Sequence, residues 1–150
     1  MFKRLIAASC LAAGLSAMTG CAVNRADASL MADADLTKVK TLYVVHAEKD
    51  NHDVDKDLKA AFEKRGFAVT TGPARTPPYP ADAVVTYVDK WMWDLTMYML
   101  ELTVTVRNPA NDFPMATGHS LHTSLTRKSP AEMADEVAGN IVAEIGRAHV

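Results

Sequence analysis

Between Ala83 and Arg107 the chain carries its longest β signal, interrupted only at Asp94-Leu95-Thr96-Met97. β-Branched and aromatic residues dominate it, and polar and apolar residues alternate, which is the period of a strand with one covered face. Folded as a hairpin with an even-numbered loop centred between Leu95 and Thr96, it sets Lys90 opposite Glu101, Thr86 opposite Thr105 and Val88 opposite Thr103. The other face then pairs Trp93 with Tyr98, Trp91 with Leu100, Tyr87 with Val104 and Val85 with Val106. One face is polar and the other apolar. A slip of one residue would mix them, so the pattern selects this register. A hairpin of this kind must bury its apolar face under a second layer.

The flanking segments supply that layer. Thr41-Leu42-Tyr43-Val44-Val45 reads as a strand covered on both faces. After a polar loop, Asp53 is placed to cap a helix whose first turns carry Asp55 and Asp57, where the helix dipole favours negative charge. Leu58, Ala61, Phe62 and Arg65 form one stripe at helical spacing, and Gly66 ends the helix. Phe67-Ala68-Val69-Thr70-Thr71 is the next strand, and this β-α-β unit predicts a parallel pair. Pro73, Pro77, Pro78 and Pro80 mark an extended loop. Met115 to Thr126 reads as the last strand, with Gly118 as a bulge. Ser129-Pro130-Ala131-Glu132 opens the final helix with a capping box and proline at its first position. Met133, Val137, Ile141 and Ile145 form its apolar stripe. The expected order is β-α-β-β-β-β-α, an α+β two-layer sandwich. Its sheet is mostly antiparallel, and two helices cover one face.

The N-terminus has another character. Lys3 and Arg4 precede a run of apolar and small residues that ends at Met18-Thr19-Gly20-Cys21. A basic tip, an apolar core and small residues before a cut describe a secretory signal. The Cys just after the cut resembles the lipobox of bacterial lipoproteins, whose cysteine receives the acyl chains. The stretch from Leu5 to Met18 is shorter than the roughly 20 residues a spanning helix needs. Residues 1–20 are therefore expected to be a signal peptide. Residues 21–36 are expected to be a lipidated Cys21 with a flexible tether, and residues 37–150 a single domain. Ala22 after the cysteine, by resemblance to the enteric sorting rule, implies the outer membrane.

Removing Lys3 and Arg4 from 16 basic side chains leaves 14 against 18 acidic ones. No basic stripe remains, which argues against nucleic acid as a partner. Cys10 leaves with the signal and Cys21 takes the lipid, so the domain has no disulfide and no thiol nucleophile.

Tyr87-Val88-Asp89-Lys90-Trp91-Met92-Trp93-Asp94-Leu95-Thr96-Met97-Tyr98 resembles a family of uncharacterised proteobacterial outer-membrane lipoproteins with a Trp-x-Trp-Asp segment. The two-layer arrangement is similar to the TolB N-terminal domain and the CsgG-like group. That resemblance implies a fold and a location; it carries no catalytic residues and no cofactor.

Candidate chemistry is sparse. His46, Glu48, His52 and Asp53 lie close in sequence, but their spacing fits no metal motif of defined geometry, and a solvated loop accounts for them. His119 and His122 are expected on opposite faces of a strand. Ser120 and Ser124 have no nucleophile-elbow context. The candidate ligand or partner surface is Asp89, Trp91, Trp93, Asp94 and Tyr98. Trp91, Trp93 and Tyr98 are expected to close the core at one end of the sheet, with Asp89 paired to Arg65 or a tyrosine hydroxyl. Three readings follow, in this order. The first is a non-enzymatic lipoprotein that binds or supports another envelope component, protein or glycan. The second is a lipid or glycan carrier with a pocket at the Trp-Tyr end. The third is a hydrolase.

Overall fold

The computed structural model describes residues 23–148. The expected signal segment 1–20, Cys10 and Cys21 lie outside the described residues. The strands are β1 (Arg25–Leu30), β2 (Thr41–Val45), β3 (Ala68–Gly72), β4 (Ala83–Asp94), β5 (Thr96–Arg107) and β6 (Pro114–Leu121). The helices are α1 (Val54–Glu63) and α2 (Pro130–Arg147), with a short 3-10 turn at Ser124–Thr126. The strands form one six-stranded sheet in the order β1-β6-β5-β4-β2-β3. β2 runs parallel to both β3 and β4; the other pairings are antiparallel. Both helices pack on one face, so the architecture is the expected α+β two-layer sandwich with a mixed sheet.

The core lies between sheet and helices. Leu58, Ala61 and Phe62 of α1 and Met133, Val137 and Ile141 of α2 meet Val44, Val85, Leu102, Val104 and Ala116 of the sheet. The α2 cap is as expected: Ser129 Oγ accepts from the Glu132 amide, and Glu132 accepts from the Ser129 amide at 2.8 Å. Arg65 joins the helices, donating to the Asp135 carboxylate and carbonyl, each at 2.8 Å.

The other face of the sheet is partly covered as well. The proline-rich loop crosses β2 to connect β3 to β4. Tyr79 packs on Tyr43 with ring centroids 5.3 Å apart, and the Tyr43 hydroxyl donates to the Pro73 carbonyl. This loop is the reason β2 reads as covered on both faces.

Several expectations change. Residues 21–36 are not all tether: Arg25–Leu30 form β1, paired with β6 at the sheet edge, and Leu36 is buried. β1 alternates Ala26, Ala28 and Leu30 with Arg25, Asp27 and Ser29, a period-2 pattern muted by the small alanines. The last strand ends at Leu121 rather than Thr126. Gly118 is not a bulge; it pairs in register with Val104 and Ala28. It is small because α2 lies against it: an added Cβ would come within 2.9 Å of Val137 and Ile141 side-chain carbons.

The hairpin holds the predicted register from Val84–Arg107 down to Lys90–Glu101, and Lys90 Nζ bonds Glu101 at 2.6 Å. Beyond that pair the ladder slips by one. Trp91 faces Met99, Met92 faces Tyr98 and Trp93 faces Met97, with Leu95 alone at the tip. The expected Trp91–Leu100 and Trp93–Tyr98 pairs and the even-numbered loop are therefore corrected. Leu100 is the extra residue, and its carbonyl accepts from the His122 amide at 3.0 Å instead. The bulge lets the two strands twist past the end of the sheet.

Candidate functional site

The slip at Leu100 divides the aromatic cluster. Trp91 and Met99 face the helices and pack against the core. The Trp91 ring stacks on His52, centroids 3.8 Å apart, and its Nε1 donates to Asp89 at 2.6 Å. Asp89 thus finds its partner two residues along its own strand, not in Arg65 or a tyrosine. Tyr98 lies on the opposite face. It is buried under Arg127, whose guanidinium sits 4.6 Å from the ring centroid. Arg127 also donates to Thr96 Oγ1 at 2.8 Å, and the Ser124 hydroxyl donates to the Asp94 carboxylate. Trp91 and Tyr98 therefore share no pocket wall. Trp93, expected in the core, is 71% exposed because the hairpin outruns the helices that cover the rest of β4.

The result is an apolar tip. Leu95 is 88% exposed, and exposed Trp93 and Met97 flank it on one face and exposed Met92 on the other. Leu125, in the turn that carries Arg127, is exposed too. Lys90, Glu101, Leu121 and Arg25 form one row of paired residues across the sheet. β1 runs away from the tip, so its first residue lies at the tip end. Thr126 donates to Asn24 there, tying the residue before β1 to the turn beside the hairpin. From that row, Leu95 is five residues out, about 16 Å at strand rise. Cys21 is four residues upstream of Arg25, a reach of at most about 14 Å.

A second constellation lies at the C-terminal ends of parallel β2 and β3, where α1 begins. Parallel strands open a crevice at that end. The cleft has a volume of about 910 Å³ and is lined by His46, Glu48, Asp53, Asp55 and Gly72 among others. The structure brings His46 to Asp50 and Asp55; the nominated His52 instead stacks on Trp91. Asp50 went unnoticed in the sequence because its partners come from the fold. It accepts from the His52 and Val54 amides at 2.7 and 2.8 Å and from the Tyr87 hydroxyl at 2.6 Å. Burial pushes the Asp50 carboxyl up, but those donors outweigh it and hold it below the usual value. Burial and the donation to Asp50 both push the Tyr87 phenol up, so it stays a donor. Asp53 occupies the position before α1 without capping it; Asp50 reaches the Val54 amide in its place.

His119 and His122 do lie on opposite faces. His119 meets Thr103 at 3.1 Å, and His122 is buried against Glu136 at 2.7 Å. The Ser120 hydroxyl donates to Glu136, not to His122. Burial pushes the Glu136 carboxyl up, but hydrogen bonds from Lys128, Ser120 and His122 outweigh this and hold it down at about 2. His122 does not line the groove between the helices that Glu136 reaches. This cluster joins β6 to α2, and its serine hydroxyl sits on a fully buried residue, away from the open groove.

Among the described residues no helix is long and apolar enough to cross a membrane. No family model matches the chain, and no curated protein matches it in sequence. In fold it is similar to a PelC dodecamer from Paraburkholderia phytofirmans, with a TM-score of 0.55 and 12% identity over 82% of this chain and 97% of that one. A PDZ domain protein from Parabacteroides distasonis gives 0.50 at 7% identity, over 86% of this chain and 37% of its own. A minor lipoprotein from Acinetobacter baumannii gives 0.37 at 15% identity, over 74% of this chain and 93% of that one. At these identities the likeness is one of fold.

Proposed function

We propose that this chain is a lipid-anchored protein of the bacterial outer membrane, facing the periplasm and without catalytic activity, that holds another envelope component at the lipid surface. One observation carries the reading: the exposed apolar hairpin tip and the first residue of β1 lie at the same end of the sheet, and the four-residue step back to Cys21 is long enough to span about the distance to the tip. Acyl chains on Cys21 would stabilise membrane attachment by about 0.8 kcal/mol per buried CH2. The tip would then sit at the interface, where a tryptophan ring is well accommodated. One covalent anchor and one side-chain anchor fix the orientation of the domain, which a lipid on a long tether would not. The short link after Cys21, three residues before β1, supports this. The component held is a protein or a glycan of the envelope, with no nucleic acid involved. A similar fold in a dodecamer supports further copies of this chain as part of that assembly.

The carrier reading is weaker, because Trp91 and Tyr98 lie on opposite faces and each already has a stacked partner. The hydrolase reading lacks a nucleophile positioned on a base at His122.

Two variants test the proposal. Cys21→Ser should move the protein out of the membrane fraction of fractionated cells. Leu95→Asp keeps Trp93 as a reporter. The purified parent should shift its tryptophan emission to the blue on vesicles containing anionic lipid, and Leu95→Asp should shift much less. Full retention of Cys21→Ser in the pellet would remove the acyl anchor. Parent emission that ignores vesicles would remove the tip contact.

A further inference from the structure

Asp55 is 4% exposed, and its Oδ1 has no hydrogen-bond partner. That oxygen faces His46 Nδ1 at 3.1 Å. A buried carboxylate oxygen without a donor is costly. Asp55 lies in the first turn of α1, and its buried Oδ1 is aimed at an imidazole nitrogen without a hydrogen bond to it.

Two atoms bound to one transition-metal ion at about 2.1 Å lie about 3.0–3.4 Å apart, depending on geometry. The His46–Asp55 separation falls in that range. A third ligand atom, a carboxylate oxygen of Asp50, completes a set lying within 4.8 Å of one another. Asp50 is held in place by two backbone amides and the Tyr87 hydroxyl, an arrangement of the kind that orients metal ligands. Glu48 and Asp53 bring further carboxylates to the cleft beside the set.

We infer that His46, Asp50 and Asp55 form a binding site for a divalent transition cation, with Zn2+ as the best match. One imidazole and two carboxylates suit zinc, and would favour it over Ca2+ or Mg2+, which take oxygen ligands. Three protein ligands leave further coordination positions open toward the cleft, where Glu48 and Asp53 lie. The cation would supply the partner that Asp55 Oδ1 lacks and tie the end of β2 to the start of α1. The inference does not depend on acylation or on the hairpin tip.

The purified protein, stripped of metal by a chelator, is titrated with ZnCl2 by calorimetry. One equivalent should bind with a micromolar or lower Kd, and MgCl2 and CaCl2 should bind at least tenfold more weakly. His46→Ala should weaken zinc binding tenfold or more, and its half-exposed side chain can be removed without opening the core. Asp55→Asn should do the same, with its fold checked by circular dichroism. His119→Ala, on the far face, should bind as the parent does. His52 stacks on Trp91 and its amide bonds Asp50, so Ni2+ at this site should quench Trp91 emission with saturation at one equivalent. For that measurement Trp93→Phe leaves Trp91 as the sole tryptophan. No saturable binding, or equal affinity in His46→Ala, overturns the inference. It would leave His46–Asp55 as an ion pair only, or zinc as an adventitious surface ligand.

Discussion

Trp91 and Trp93 stand two residues apart on one face of one strand, yet they have different surroundings. Trp91 is packed against the core, stacked on His52 and bonded to Asp89. Trp93 lies past the last covering side chain and is open. Truncating Trp91 to Ala should cost about 2 kcal/mol, below the 3–5 of a fully buried ring because part of it is already solvated. Truncating Trp93 to Ala should change stability by no more than about 0.5 kcal/mol, as at other exposed sites. Urea denaturation of the two variants measures both. Equal losses would mean that the tip packs on something within the domain. Aromatic character alone does not separate the two residues; the length of the hairpin relative to the helices does.

At the scale of elements, the fold depends on how closely α2 can approach the sheet. Gly118 sets that distance, since Val137 and Ile141 occupy the space where a Cβ would sit. Gly118→Ala should therefore destabilise by about 1–3 kcal/mol, the usual cost of overpacking. A thermal melt showing no loss would mean that α2 shifts freely over β6. The same helix is held by a polar cluster as well as by packing. Glu136 draws together Lys128, Ser120 and His122 from the β6 strand and the turn after it. The hairpin is held differently. Its register is locked by alternation as far as Lys90 and Glu101, and then released by the bulge at Leu100. Past the bulge, Arg127 and Ser124 clasp Asp94 and Thr96, so the tip is presented by the 3-10 turn rather than left loose.

At the scale of the whole molecule, the response to acid follows from Glu136. Its folded value of about 2 lies below the roughly 4.3 of a free glutamate, so the group stabilises the fold at pH values above the unfolded one. That contribution is lost as pH falls from about 5 toward 2. Denaturation midpoints should drop across this window. Glu136→Gln should be less stable at neutral pH and should show a shallower drop. A parent with constant stability from pH 5 to pH 2 would remove Glu136 as the acid-sensitive contact. The whole molecule also has two distinct ends. The open ends of β4 and β5, the start of β1 and the exposed apolar residues of the hairpin tip share one end; the turn at 108–112 caps the other end of the hairpin strands.

Much of this fold was legible in the chain itself. The parallel β2–β3 pair, both helices, the α2 capping box and the hairpin register through Lys90–Glu101 all follow from local periodicity and cap chemistry, which depend on neighbours in sequence. The expectation of a lipidated Cys21 likewise rests on residues alone, and Cys21 lies outside the described residues. Other features needed the assembled sheet. The slip at Leu100 was hidden because Met97, Tyr98, Met99 and Leu100 are all apolar or aromatic, so no polar residue marks the phase of that strand. β1 was hidden because a six-residue edge strand with only Ala26, Ala28 and Leu30 on its apolar face is ordered by β6, not by its own propensity. His46, Asp50 and Asp55 were hidden for a third reason. Their meeting depends on Tyr87, 37 residues after Asp50, reaching across from β4. Sequence patterns record which faces are apolar over a few residues. Where those faces end, and which polar atoms they leave facing one another, is decided only when the strands have taken their order in the sheet.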